Sequence, residues 1–112
     1  METLSICFSK EETSLLNGNH NNVPDVLLIK AWYQSQYFKQ SQLMKHVKQF
    51  ITHNEIVVDT VYRVIIQLID QRTIKHYEQY TYEMHFYLNN AMKATVISTY
   101  SDEVAHAISN HG

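Results

Sequence analysis

Residues 56–88 read IVVDTVYRVIIQLIDQRTIKHYEQYTYEMHFYL, and two hydrophobic periods follow one another inside them. From Thr60 to Asp70 the apolar side chains Val61, Val64, Ile65, Leu68 and Ile69 recur at i, i+3, i+4, i+7 and i+8, the spacing of one helix face. Arg63, Gln67 and Asp70 share the other side. Asp59 stands where an N-cap accepts from a free backbone N–H. After Arg72 the period becomes two: Tyr82, Met84, Phe86 and Leu88 alternate with Thr81, Glu83, His85 and Tyr87, as in a half-buried strand. Ile74–Tyr77 can pair with that strand across a short turn. A helix over 59–71 running into a hairpin over 74–88 predicts the recognition helix and wing of a winged helix-turn-helix. The β-branched content of 61–69 also permits a strand, which would set Arg63 and Gln67 beside Val61, Ile65 and Ile69. Period is weighted above propensity here, and the helix is preferred.

Outward from that stretch, two further helices are expected. Pro24 suits a first helical turn, Leu27, Leu28, Ala31 and Trp32 continue an apolar face, and Tyr37-Phe38 closes the segment. Ser41 is a candidate N-cap for a second helix with Leu43, Val47, Phe50 and Ile51 on one side. Packing Trp32, Phe50, Val64 and Leu68 together would bury the three stripes. Upstream, Leu4, Ile6 and Phe8 alternate as a short strand would, Lys10–Leu16 suits a helical turn or two, and residues 17–22 form a turn-rich linker. Downstream of the Asn89-Asn90 turn, Thr95–Tyr100 reads as a strand, and Ser101-Asp102-Glu103 as the start of a helix to Ile108. The expected class is α+β, mainly α: a winged helix-turn-helix (three helices plus β-hairpin wing) over 23–90, an N-terminal arm or short helix over 1–22, and a short C-terminal strand-helix over 91–112.

Composition narrows the function. At 112 residues with 45% hydrophobic side chains, the chain folds as one modest domain. No apolar run reaches the roughly 20 residues of a membrane span, and the N-terminus lacks a signal-peptide pattern. The single cysteine, Cys7, rules out an internal disulfide or CxxC site and predicts a cytoplasmic protein. The net charge of −2 is unevenly spread. Residues 30–93 hold eight basic against five acidic groups, a balance of +3, while the ends hold one basic and six acidic. The positive charge therefore falls where a duplex would be met. Seven histidines occur without HxH or HxxxH spacing, no Gly-rich phosphate loop is present, and Cys7 has no evident base. No metal, cofactor or catalytic residue is assigned, and no enzyme is expected.

The run Thr60-Val61-Tyr62-Arg63-Val64, followed by Gln67, Asp70, Ile74, Phe86 and Leu88, resembles the DNA-binding half of the ferric uptake regulator family, whose TVYRVLxxF…GIV…F-L pattern runs from recognition helix through wing. Ser41–Val47 is similar to that family's preceding helix. The resemblance implies a DNA-binding fold reduced by loss of the metal-sensing half. The places of that family's sensing histidine and glutamate hold Tyr37 and Tyr87, and Glu78–Thr81 and Arg72 stand where it has glycine.

On this reading Arg63 meets a guanine edge or a phosphate. Thr60 and Gln67 lie beside it, and the resemblance packs Tyr62 on a thymine methyl. Lys39 and Lys45 contact the backbone, and Lys75 and His76 on the wing reach an adjacent groove. The expected function is sequence-specific double-stranded DNA binding as a transcriptional repressor, by a homodimer joined through the free edge of strand 95–100. The alternative is a winged-helix protein-interaction module without DNA binding. A third reading replaces helix 60–70 by a strand, giving a helix packed on a three-stranded sheet that binds a partner or small ligand.

Overall fold

The computed structural model describes residues 1–17, 21–40 and 45–103. Its centre is an antiparallel sheet of five strands: β1 (Glu2–Cys7), β2 (Lys45–Thr52), β3 (Val61–Ile74), β4 (Tyr77–Leu88) and β5 (Ala91–Glu103), ordered β1-β3-β4-β5-β2. One α-helix, α1 (Lys10–Asn17), follows β1. A 3-10 turn (Asp25–Ile29) then leads into two short helices, α2 (Lys30–Tyr33) and α3 (Gln36–Gln40), which lie against one face of the sheet.

The winged helix is overturned; the third reading is right that residues 60–70 are strand rather than helix, but the sheet has five strands, not three. Residues 61–74 are a strand, not a recognition helix. Tyr62, Val64 and Ile66 point into the core, while Val61, Arg63 and Gln67 are exposed on the other face. The helical stripe left Ile66 among the polar positions, yet Ile66 is fully buried. A two-sided strand with Val61, Ile65 and Ile69 also on the outer face matches a helical period by coincidence. Here β-branched propensity and cross-strand pairing win.

Residues 45–52 are likewise a strand, β2, rather than the second helix, and Ser41 and Leu43 lie outside the described residues. Phe50 is 62% exposed and Leu68 41%, so the expected four-residue core reduces to Trp32 and Val64. A hairpin is present, but it turns at Lys75-His76, Lys75 taking a left-handed φ of 55°. Ile74 and Tyr77 therefore pair with each other rather than forming one arm, and Glu78–Thr81 lie within β4 rather than in the turn. Strand 95–100 exists but belongs to β5, which is paired on both sides, so its edge is not free. Ser101–Glu103 end that strand, and the expected helix beyond them lies outside the described residues.

The N-terminal strand and helix are both present. Ser9 and Glu12 form a reciprocal capping box at the start of α1: Glu12 N–H donates to Ser9 Oγ (3.1 Å) and Ser9 N–H to Glu12 Oε2 (3.0 Å). Lys30 Nζ reaches the same carboxylate at 3.0 Å and ties α1 to α2. Burial alone would raise the Glu12 pKa, but the Ser9 N–H, Lys30 and the Ser9 hydroxyl together hold it below the usual carboxylate range. Between β2 and β3 the chain is pinned by Val23 N–H to Ile56 O and Val58 N–H to Asn21 O, at 2.9 and 2.8 Å.

Candidate functional site

Antiparallel register sorts the inner face of the sheet into rows that change character along its length. The first row, Leu4, Val64, Phe86 and Ala94, and the second, Ile66, Met84, Val96 and Ile51, are apolar. The third is Leu68, Tyr82, Ser98 and Gln49, and the fourth Gln71, Tyr80, Tyr100 and His46. An aliphatic core thus grades into a polar and aromatic end within four steps along each strand.

Aromatic rings from the helical segment close over this end. Trp32 stacks on Tyr100 with centroids 4.4 Å apart and planes 14° from parallel, and lies 4.7 Å from Tyr82. Tyr37 lies 4.9 Å from Tyr82, and the His46 ring flanks Tyr100 at 5.4 Å. Such contacts add to the area these rings bury. They fix the position of α2 over β4 and β5.

Three polar atoms inside this aromatic wall are buried and make no hydrogen bond to any described residue: Gln49 Nε2, Ser98 Oγ and Tyr100 Oη. Ser98 is 2% exposed and Tyr100 4%. Gln49 and Ser98 are direct cross-strand partners, and Ser98 and Tyr100 follow one another on the same face of β5. Burial pushes the Tyr100 phenol well above its ordinary pKa; the Ser98 hydroxyl offsets part of that rise, although the two oxygens do not meet in hydrogen-bond geometry. Each group can donate. Leaving a buried polar group unpaired costs about 1–3 kcal/mol, so three together mark a place where stability is given up.

Beyond the fourth row the hairpin outruns its helical cover. Tyr80 Oη donates to Glu78 Oε2 at 2.7 Å and Gln71 Nε2 to the same oxygen at 3.1 Å. The Glu78 carboxylate raises the Tyr80 pKa to about 12, and Tyr80 and Gln71 in turn lower that of Glu78. His46, exposed at the start of β2, borders this end of the inner face opposite Tyr100, while Lys45, opposite Ser101, belongs to the outer face.

The residues expected to read DNA are not gathered on one surface. Tyr62 is buried in the core, its Oη accepting the Val57 N–H at 2.9 Å. Arg63 lies on the opposite, outer face, its guanidinium 5.3 Å from the Tyr87 ring centre. Thr60 precedes β3 and donates to Val58 O at 3.1 Å, and Gln67 sits where β1 stops, near Met1. Lys75 and His76 are at the hairpin tip, the far end of β3 from Arg63, while Lys39 is exposed on α3 and Lys45 on β2. The exposed helix that duplex reading required is absent at 59–71. The sequence reading passed over Gln49, Ser98 and Tyr100. Strand 95–100 was recognised, and following its alternate positions from Ala94 and Val96 to Ser98 and Tyr100 reveals a polar pair at the end of an apolar row.

Among the described residues no group of three His, Cys, Asp or Glu is placed to hold a metal ion, and no helix is long and apolar enough to cross a membrane. No family model matches the chain, and no curated protein matches it. Solved structures do share its fold. The crystal structure of a hypothetical protein from Aquifex aeolicus superposes with a TM-score of 0.65 at 11% identity, covering 90% of this chain and 98% of that one. A hypothetical protein from Staphylococcus aureus, solved in complex with CoA, gives 0.60 at 11% identity, covering 96% of this chain and 81% of that one.

Proposed function

We propose that this chain is a small-ligand-binding domain whose site is the aromatic end of the inner sheet face, and that its ligand carries a carbonyl or carboxylate acceptor on a partly apolar body. The observation that carries this reading is the trio of buried donors on Gln49, Ser98 and Tyr100 that have no partner among the described residues. A ligand oxygen would satisfy them, and the rings of Trp32, Tyr37 and Tyr82 would cover its apolar part. The exposed His46 ring beside Tyr100 offers a ring N–H donor to an anionic tail. An acylated coenzyme A has all three features. The fold likeness to the Staphylococcus aureus protein carries no ligand across at 11% identity, but it says which probe to try first. This is a binding role with no chemical step assigned, and it suits a cytoplasmic location, where such thioesters are made and used.

The test uses the only tryptophan in the chain, Trp32, as reporter. Titration with acetyl-CoA changes Trp32 emission and raises the melting temperature; ligand at a hundred times its Kd adds about 2.7 kcal/mol. Ser98→Ala and Tyr100→Phe each weaken binding about five- to tenfold, one hydrogen bond apiece. Absence of any response to acetyl-CoA or CoA at millimolar concentration overturns the coenzyme A assignment. Undiminished binding by both variants overturns the site.

A further inference from the structure

β1 covers only the first part of β3: its last partner pair in that direction is Glu2 with Ile66. From Gln67 to Ile74 the strand is paired with β4 on one side, and among the described residues nothing pairs with it on the other. A long bare edge is an invitation to another strand, and folded proteins usually guard it with net charge, proline or cover. Here a bulge between Leu68 and Asp70 guards the start of the edge and leaves Asp70–Ile74 as its regular stretch. No proline interrupts that stretch, and its two charged residues, Asp70 and Arg72, neutralise one another at 2.8 Å. Leu68, Ile69 and Ile74 are exposed along it, at 41, 47 and 41%.

We infer that this edge pairs antiparallel with the same edge of a second copy, about a two-fold axis through Gln71. The charges select both the partner and the register. Asp70 and Arg72 lie on the outer face, opposite Thr81 and Gln79, and Gln71 lies on the inner face. With Gln71 opposite Gln71, Asp70 of each copy faces Arg72 of the other, twice, on one face of a ten-stranded sheet. Because the bulge puts Leu68 and Ile74 on opposite faces, the regular pairing is confined to Asp70–Arg72 and the residues next to them. A slip of two residues either way sets Asp70 against Asp70 or Arg72 against Arg72, which is unfavourable. A slip of one sets an outer side chain against an inner one, which strand pleating forbids. The edge is thus its own complement in a single register, the condition for an isologous dimer. The interface lies on β3, not on strand 95–100, and is independent of the ligand proposal.

Sedimentation velocity on the full chain tests it. The unmodified protein sediments as a dimer, twice the 13.2 kDa chain mass; a monomer at tens of micromolar overturns the inference. Asp70→Arg and Arg72→Asp each make the edge uniformly charged, and each weakens dimerisation at least tenfold with an unchanged circular dichroism spectrum. Mixing the two variants restores a dimer, because each then meets its opposite, and so does the Asp70→Arg/Arg72→Asp exchange within one chain. Dimers that persist in both single variants, or an exchange variant that stays monomeric, refute the register.

Discussion

Two neighbouring residues, Tyr62 and Arg63, separate the sheet from the helix by the cost of losing each. Tyr62 is 1% exposed, stands opposite Ile6 of β1, and accepts the Val57 N–H through its hydroxyl. Tyr62→Phe removes that acceptor and leaves the amide unpaired, at about 1–2 kcal/mol. Tyr62→Ala also opens a cavity among Ile6, Val64 and their neighbours, for a total of about 3–5 kcal/mol. Arg63→Ala loses only an exposed contact with the Tyr87 ring, about 0.5–1 kcal/mol. Urea unfolding followed by Trp32 emission, at fixed protein concentration, reads all three. With a slope near 2 kcal/mol per molar, Tyr62→Ala lowers the midpoint by roughly 2 M and Arg63→Ala by less than about 0.5 M. In a 59–71 helix with Arg63 exposed, Tyr62 would be half-solvated and its loss mild. Equal costs for the two alanine variants would refute the register of β3.

Ser98→Ala removes a buried hydroxyl that has no partner. The variant melts no lower than the parent, and the gain reaches about 1 kcal/mol, even as ligand binding weakens; a large loss of stability would show the hydroxyl to be structural. Glu12 has a folded pKa below its ordinary value of 4.5, so its contribution is present above pH 4.5 and is lost as pH falls through the folded value. Glu12→Gln therefore costs about 0.5–1 kcal/mol at pH 7 and nothing at pH 2–3, as paired thermal melts will show. Tyr80 titrates the other way. Its pKa is raised from 10.0 to about 12 by the Glu78 hydrogen bond, so its contribution is complete below pH 10 and disappears as pH rises through 12. Tyr80→Phe lessens the loss of stability between pH 10 and 12 in paired melts, and what remains belongs to Tyr82 and Tyr100, whose phenols burial also raises.

Much of the architecture can be read from single residues, and the main error has a definable cause. Tyr82, Met84 and Phe86 announce β4 because one face of it is buried and the other is charged or polar. Leu27, Leu28, Ala31 and Trp32 mark a helical segment, and Pro24 its start, although it breaks into three short pieces. β3 deceived because both its faces carry apolar side chains, and a bulge between Leu68 and Asp70 breaks the alternation halfway along. β2 deceived in the same way, through the irregularity between His46 and Lys48. The candidate site was illegible for another reason. Gln49, Ser98 and Tyr100 come from strands 40 and more residues apart in the chain, and only the β2–β5 register sets the first of them opposite the second.

The irregularity at Ile69 has an evolutionary corollary. It acts as a phase shifter: before it the even-numbered side chains of β3 look inward, and after it the odd-numbered ones do. Deleting this one residue would join Leu68 directly to Asp70 and restore plain alternation, with Asp70 and Arg72 still outward and Gln71 still inward. A lineage can therefore gain or lose this codon while keeping the chemistry of both faces, altering only the local bend and twist of the hairpin.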